Sequence, residues 1–348
     1  MKNIVKRILV LSLILVIGIL ATGCGEEKAT INIYNWGDYI DPSVLKDFEK
    51  EFNVKVNYNT FATNEDMYIS IKKGGTSYDV AFPSDYMIER MIDEDMLEKI
   101  SKDNIPNLSN IDERFLNLEF DPENDYSVPY MWGTVGIVYN KKMVDDPVDS
   151  WNILWNEKYK GQILMLDSQR DSLAVALKKL GYSMNTRSLE ELEEAKEELI
   201  KQKPLVYAYV GDEVKDLLVG EEAAMAVVWS GDAVAMIREN EDLAYAIPKE
   251  GTNLWFDNMV IPKNGNNKKL AEEFINFMQR PEIAARNTDY IGYSTANYKA
   301  LDLLPEDIVN SEVAYPTDEE IGEREIFKDP KDFLKVYDDI WLEFKAQR

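Results

Sequence analysis

Four short stretches set an aromatic ring beside a carboxylate: Trp36-Gly37-Asp38-Tyr39, Asp85-Tyr86, Trp229-Ser230-Gly231-Asp232 and Trp255-Phe256-Asp257. Rings and carboxylates together are the chemistry that holds an organic cation. An ammonium over the face of Trp or Tyr gains roughly 0.5–2 kcal/mol, depending on how well it is desolvated. A carboxylate adds a charge-assisted hydrogen bond about twice as strong as a neutral one. Taken singly, each pair also has the look of a packing ring beside a helix-capping Asp. Binding therefore requires that the four stretches converge in one cleft.

The elements that must position them alternate along the chain. Ile31, Ile33 and Tyr34 read as a strand, and Asp41-Pro42 places a cap and a first-turn proline ahead of Leu45, Phe48 and Phe52 at helical spacing. Val54, Val56 and Tyr58 alternate as a second strand, and Met67 and Ile71 share a helix face that Gly74-Gly75 ends. Tyr78 to Phe82 reads as a third strand, followed by a helix from about Tyr86 to Asp93. The same grammar returns later. Ser188-x-x-Glu191 is a capping box opening a helix to about Gln202; strands are expected at Leu205–Val210, Ala223–Trp229 and Leu243–Ile247. Between the halves, Tyr130 to Tyr139 is strand-like, and its Gly133 and Gly136 suggest a bend or a close backbone approach at a crossover. This alternation predicts right-handed βαβ units and a parallel sheet. Trp36, Tyr86 and Trp229 follow the carboxyl ends of predicted strands, and Trp255 is expected beyond the one ending near Ile247. That edge is where ligands bind in open α/β sheets.

At 348 residues the chain is long enough for two lobes, and its formal charge of −25 argues against a nucleic-acid partner. The first residues read as a targeting segment: Lys2, Lys6 and Arg7, an apolar run from Ile8 to Leu20, then small residues before Cys24. Cys24 is the single cysteine, and its placement resembles a bacterial lipoprotein signal, with Ala21 where Leu is more usual. Lipidation there would make Cys24 the mature N-terminus and hold the protein outside the cytoplasm on a membrane. No disulfide framework remains.

Histidine is absent, which removes His-dependent nucleophilic systems and nearly all zinc sites. No phosphate loop and no nucleophile elbow occur. Asp121 to Asp125 begins like a calcium loop but has Tyr126 in place of the required Gly and Trp132 in place of the bidentate acid. Neither a metal nor a cofactor is expected. Carboxylate-pair glycoside hydrolysis needs no histidine and stands as the enzymatic alternative. Another organic cation as ligand is the second.

With these pieces assembled, the chain resembles the spermidine/putrescine-binding proteins, the extracytoplasmic receptors of ABC-type polyamine importers. The resemblance runs through Tyr34-Asn35-Trp36-Gly37-Asp38-Tyr39, Pro83-Ser84-Asp85-Tyr86, Tyr126-Ser127-Val128-Pro129-Tyr130, Leu180-Gly181-Tyr182-Ser183, Trp255-Phe256-Asp257 and Ile291-Gly292-Tyr293-Ser294-Thr295. It implies a periplasmic-binding-protein type II fold, two α/β lobes with a hinge and a ligand cleft between them. Residues 1–23 would be signal and 24–29 tether, with 30–132 plus about 259–310 in one lobe and 133–258 plus about 311–348 in the other. It implies an aromatic box of Trp36, Tyr39, Tyr86, Trp229, Trp255 and Tyr293. Asp38, Asp171 and Asp257 would take ammonium groups, and Ser84 would line the cleft.

Asp171 stands where the family commonly has Glu, Ser168 where some spermidine-preferring members have Asp, and Phe327 where one branch has a polar contact. Asp232 is an acid found in some putrescine-preferring members and is added to the site. The implied protein is a non-catalytic, monomeric receptor that docks on a permease. Outside the box, Asp85 is expected to cap a helix and Arg170 to fix Asp167 or Asp171. Trp132, Trp151, Trp155 and Trp341 are expected to pack between elements, and the Glu190–Glu198 run to form a solvated face with i, i+4 partners such as Lys196.

Overall fold

The first strand alternates as its sequence requires, burying Ile31 and Ile33 completely. In the computed structural model, which describes residues 28–347, this strand is β1 (Thr30–Asn35). The signal segment and Cys24 lie outside the described residues. β1 pairs in parallel with β2 (Lys55–Thr60) on one side and β3 (Val80–Ala81) on the other. Between β1 and β2 runs α1 (Pro42–Phe52). Asp41 accepts the Ser43 N–H at 2.8 Å, Pro42 occupies the first turn, and Phe48 is buried edge-on against Phe274 and Phe277. α2 (Asn64–Lys73) is capped by Thr63 and closed by Gly74 at φ +67°, and α3 (Asp85–Asp93) follows β3.

A second parallel set forms from β5 (Ile163–Leu166), β6 (Val206–Val210) and β7 (Met225–Trp229), with β5 between the other two. Four helices belong to this stretch: α4 (Gln169–Leu180), α5 (Leu189–Gln202), α6 (Val214–Val219) and α7 (Ser230–Glu239). α8 (Lys268–Met278), α9 (Pro281–Ile291) and α10 (Leu334–Ala346) complete the helices used below.

Two long strands join the sets. β4 (Ser127–Asn140) pairs with β9 (Thr252–Val260) from Ser127 to Thr134, then with β7 and β8 (Leu243–Ala246) from Val135 onward. The sheet order is β2-β1-β3-β9-β4-β7-β5-β6. β10 (Ser294–Thr295) and β8 add to β4, and β11 (Arg324–Glu325) adds to β9. The expected all-parallel sheet is therefore mixed. Three-stranded parallel sets flank a central antiparallel pair, because strands that pass between the sets and return need no helical crossover.

Several local expectations change. The third strand shrinks to Val80–Ala81, since Tyr78 leaves the ladder to stack on Tyr34 at 4.0 Å. The Ser188 box is half formed. Ser188 accepts the Glu191 N–H, but the Glu191 carboxylate takes the Thr186 hydroxyl. Lys196 pairs with Glu193 at i, i+3 and with Glu343 of α10, which ties α5 to the C-terminal helix. The Asp121 carboxylate is engaged by the N–H groups of Asp125, Tyr126 and Ser127 and by the Ser127 hydroxyl, so it shapes the turn into β4.

The two β4 glycines mark close approaches, as their spacing suggested. A Cβ at Gly133 would lie 2.6 Å from the Trp255 ring, and one at Gly136 would lie 2.5 Å from the Tyr245 ring. Gly133→Ala is expected to cost about 1–3 kcal/mol through overpacking against Ser230 and Trp255. Urea unfolding checks this, and an unchanged midpoint would show that Trp255 is not held by that contact.

Candidate functional site

The carboxyl ends of β1, β3, β5, β6 and β7 all open onto one cavity of about 920 Å³. All eleven side chains singled out from the sequence line it: Trp36, Asp38, Tyr39, Ser84, Tyr86, Asp171, Trp229, Asp232, Trp255, Asp257 and Tyr293. The Trp255 stretch arrives differently from the other three. It lies inside β9, antiparallel to β3 and β4, rather than beyond a strand end. An apolar antiparallel strand with one inward acid has no turn signal to flag it.

Most of these rings are fixed by contacts with neighbouring groups. Trp36 donates its indole N–H to the Phe82 carbonyl at 2.9 Å, and Trp255 donates to the Thr134 carbonyl at 3.3 Å. Tyr293 lies against the backbone of Gly231, where a Cβ would run into its ring. It is edge-on to Tyr39 at 5.2 Å and tilted to Trp255 at 5.6 Å. Tyr86 donates its hydroxyl to Glu65 at 3.0 Å and sits edge-on to Phe327.

Besides Asp85, whose two oxygens are taken by backbone N–H groups, three carboxylates are buried in the cavity wall. Asp257 is 6 % exposed and accepts the Ser84 hydroxyl at 2.6 Å and the Tyr39 hydroxyl at 2.7 Å. Asp171 accepts the Ser168 hydroxyl at 2.6 Å through one oxygen, while its other oxygen is buried without a partner. Asp232, in the first turn of α7, lies 3.8 Å from the Lys215 ammonium. Among the described residues, neither Asp257 nor Asp171 forms an ion pair, and Asp232 alone of the three does. Desolvation pushes all three up to about 6. Hydroxyl donors pull Asp257 and Asp171 back down, and Lys215 does so at Asp232. Asp38 is exposed and faces Lys215 at 3.5 Å.

Two neighbouring expectations are corrected. Asp85 is not the cap residue of α3 but its first residue, fully buried, accepting N–H groups from Tyr86 at 2.7 Å and from Phe256 at 3.1 Å. It fastens the helix to β9, where Ser84, just before the helix, meets Asp257. Arg170 pairs with neither Asp167 nor Asp171. It donates to the Lys328 carbonyl and the Asn185 side chain and lies 4.4 Å over the Phe327 ring, while Asp167 pairs with Lys345. Phe327 thus covers the guanidinium.

Trp132, Trp151 and Trp155 donate to backbone carbonyls and pack between elements as expected. Trp341 also borders the cavity, with Tyr209 6.4 Å away. Glu65, Asp212 and Lys215 line the cavity without having been singled out. In sequence Glu65 is an ordinary first-turn acid and Lys215 an ordinary helix lysine, so nothing local marked them.

The arrangement suits an elongated organic cation. Ring faces cover methylenes, and carboxylates desolvated without cationic partners gain most from an incoming ammonium. A neutral ligand would leave them unpaired. Between about pH 4 and 6 the folded protein holds more protons on these groups than the unfolded chain, so their contribution to stability falls as pH rises. Asp257→Asn, which cannot titrate, should gain about 1–3 kcal/mol relative to the wild type on going from about pH 4 to 7. Urea unfolding at the two pH values measures this, and a pH-independent difference would contradict it.

Comparison with known proteins follows the geometry. The family model described as bacterial extracellular solute-binding protein matches residues 43–317. The spermidine/putrescine-binding periplasmic protein of Escherichia coli is 38 % identical over 342 residues, 96 % of this chain and 98 % of that protein. A putative spermidine/putrescine ABC transporter structure from Listeria monocytogenes superposes with a TM-score of 0.89 at 48 % identity, covering 92 % of this chain and 99 % of that one. A spermidine/putrescine ABC transporter substrate-binding protein from Streptococcus pneumoniae gives 0.78 at 45 % identity, with 91 % and 98 % covered. The fold is thus the type II periplasmic-binding fold of transporter-linked solute receptors, and the relatives are transport proteins rather than enzymes.

Proposed function

The chain belongs to the spermidine/putrescine-binding members of the bacterial extracellular solute-binding proteins, and we propose that its cavity binds a polyamine outside the cytoplasm for delivery to an ABC importer. The observation that carries this is Asp257, buried between two hydroxyl donors with no cation beside it. One ligand ammonium pairs with Asp257 and a second with Asp171, whose inner oxygen has no partner among the described residues. Trp36, Tyr39, Tyr86, Trp229, Trp255 and Tyr293 enclose the methylenes between them. The receptor has no catalytic role. A glycoside would meet Asp257 and Asp171 and supply neither with the positive charge it lacks.

The two parallel strand sets form two lobes, residues 30–132 with about 259–310 and residues 133–258 with about 311–348. β4 and β9 cross between them as the hinge. The cavity walls come from both sets, so a ligand touching both favours the closed arrangement. Cys24, four residues before the first described residue, carries the lipid that anchors a monomer to the membrane beside its permease.

Calorimetric titration should give dissociation constants below about 100 μM for spermidine or putrescine, tighter than about −5.5 kcal/mol. Asp257→Asn should weaken either at least about tenfold, because a desolvated ion pair loses its charge. No binding of either amine would sink the polyamine reading, and an unchanged constant in the variant would remove Asp257 from the site. Separately, Cys24→Ser should move the protein from the membrane fraction to the soluble fraction. Retention in the membrane fraction would contradict lipid anchoring at Cys24.

A further inference from the structure

Two basic side chains border the cavity, and they are placed differently. Arg170 is held back under Phe327 by hydrogen bonds to Lys328 and Asn185. Lys215, on α6, extends among the acids. Its ammonium lies 3.5 Å from Asp38, 3.8 Å from Asp232 and 4.0 Å from Asp212. Asp38 belongs to the turn after β1 and Lys215 to the helix after β6, so the lysine reaches across the cavity. Its side chain is 27 % exposed, and the Asp232 it meets is 6 % exposed.

The packing gives the buried acids an order. Gly231, next to Asp232, lies against Tyr293. Tyr293 meets Tyr39, and Tyr39 donates to Asp257. Asp171 is close enough to Asp257 for its charge to push that acid up, and it follows Arg170, whose guanidinium stands 5.1 Å from the Tyr86 ring. Besides Asp85, bonded to backbone N–H groups, the cavity therefore offers three buried carboxylates, and among the described residues only the one at the Asp232 end already has an ammonium. A lysine side chain is four methylenes ending in an ammonium, the same unit as the aminobutyl arm of a polyamine.

We propose that Lys215 is a tethered ammonium that fills the Asp232 end of the cavity, leaving Asp257 and Asp171 open to ligand, and so sets the receptor for a diamine over a triamine. This rests on reading the cavity as a polyamine site. A triamine must either displace Lys215 from its three carboxylates or leave its own third ammonium without one. A diamine meets neither cost. Lys215 is thus a specificity-determining residue.

The test is calorimetric titration of spermidine and putrescine into the wild type, Lys215→Met, Lys215→Gln, Lys215→Arg and the double variant Lys215→Met/Asp232→Asn. Both neutral variants should raise the spermidine-over-putrescine affinity ratio at least about tenfold, as expected for a desolvated charge pair gained by one ligand alone. Lys215→Arg, which keeps the charge, should leave the ratio within about threefold of the wild type, and the double variant should lose the rise. Wild-type binding with an unchanged ratio in both neutral variants overturns the role of Lys215 alone. A rise of equal size in the double variant overturns it too, because Asp232 would then not be the group released. A wild type that binds neither amine overturns the polyamine reading and this inference together.

Discussion

Asp257 sits in the middle of an antiparallel strand with two hydroxyl donors and, among the described residues, no cation beside it. A carboxylate so placed carries several kcal/mol of desolvation that neutral hydrogen bonds only partly offset. Much of the surrounding structure exists to keep it there. Asp85 clamps α3 to β9 so that Ser84 stands at its side. Gly133 lets Trp255 lie flat on β4, and Gly231 lets Tyr293 close over Tyr39. The rings keep water thin around the acid, which raises the cost of the empty site and the gain when a cation fills it.

Asp171 repeats the device with less support, since one hydroxyl serves one oxygen and the other has nothing. Asp232 differs in kind, because the protein supplies its ammonium from Lys215. Three acids pushed to a similar extent by the same desolvation are thus left in two chemical states by their neighbours. In the proposed reading this difference measures the ligand: charge separation is read by which carboxylates are still open. In the same reading, because the walls come from two strand sets joined by β4 and β9, filling the cavity would also bias how those sets sit against each other.

Much of the site was legible in sequence because its rings and acids lie next to each other at strand ends, where the backbone turns both into the same space. Trp36 with Asp38 and Trp229 with Asp232 are of this kind. The Trp255 stretch was found by composition but misplaced, since an inward acid within a buried antiparallel strand leaves no local punctuation. The mixed sheet was missed for the same reason: alternation reads the same whether a strand's partner is parallel or antiparallel. Lys215 and Glu65 were not legible at all. Their roles arise from elements brought together from distant parts of the chain, and a lysine on a short helix carries no sign of where its ammonium ends. Arg170 was assigned to the nearest acids by sequence distance, whereas the fold aims it away from them, onto Phe327.

The most direct measurement is the proton balance of amine binding near pH 6, taken from calorimetry in buffers of different ionisation enthalpy. Buried acids that titrate near 6 are partly protonated when the cavity is empty, and an arriving ammonium forces them to ionise. The account predicts release of about one proton per amine bound at that pH, falling toward zero by about pH 8. Proton uptake, or no exchange at pH 6, would mean that the buried carboxylates are not what the ligand meets.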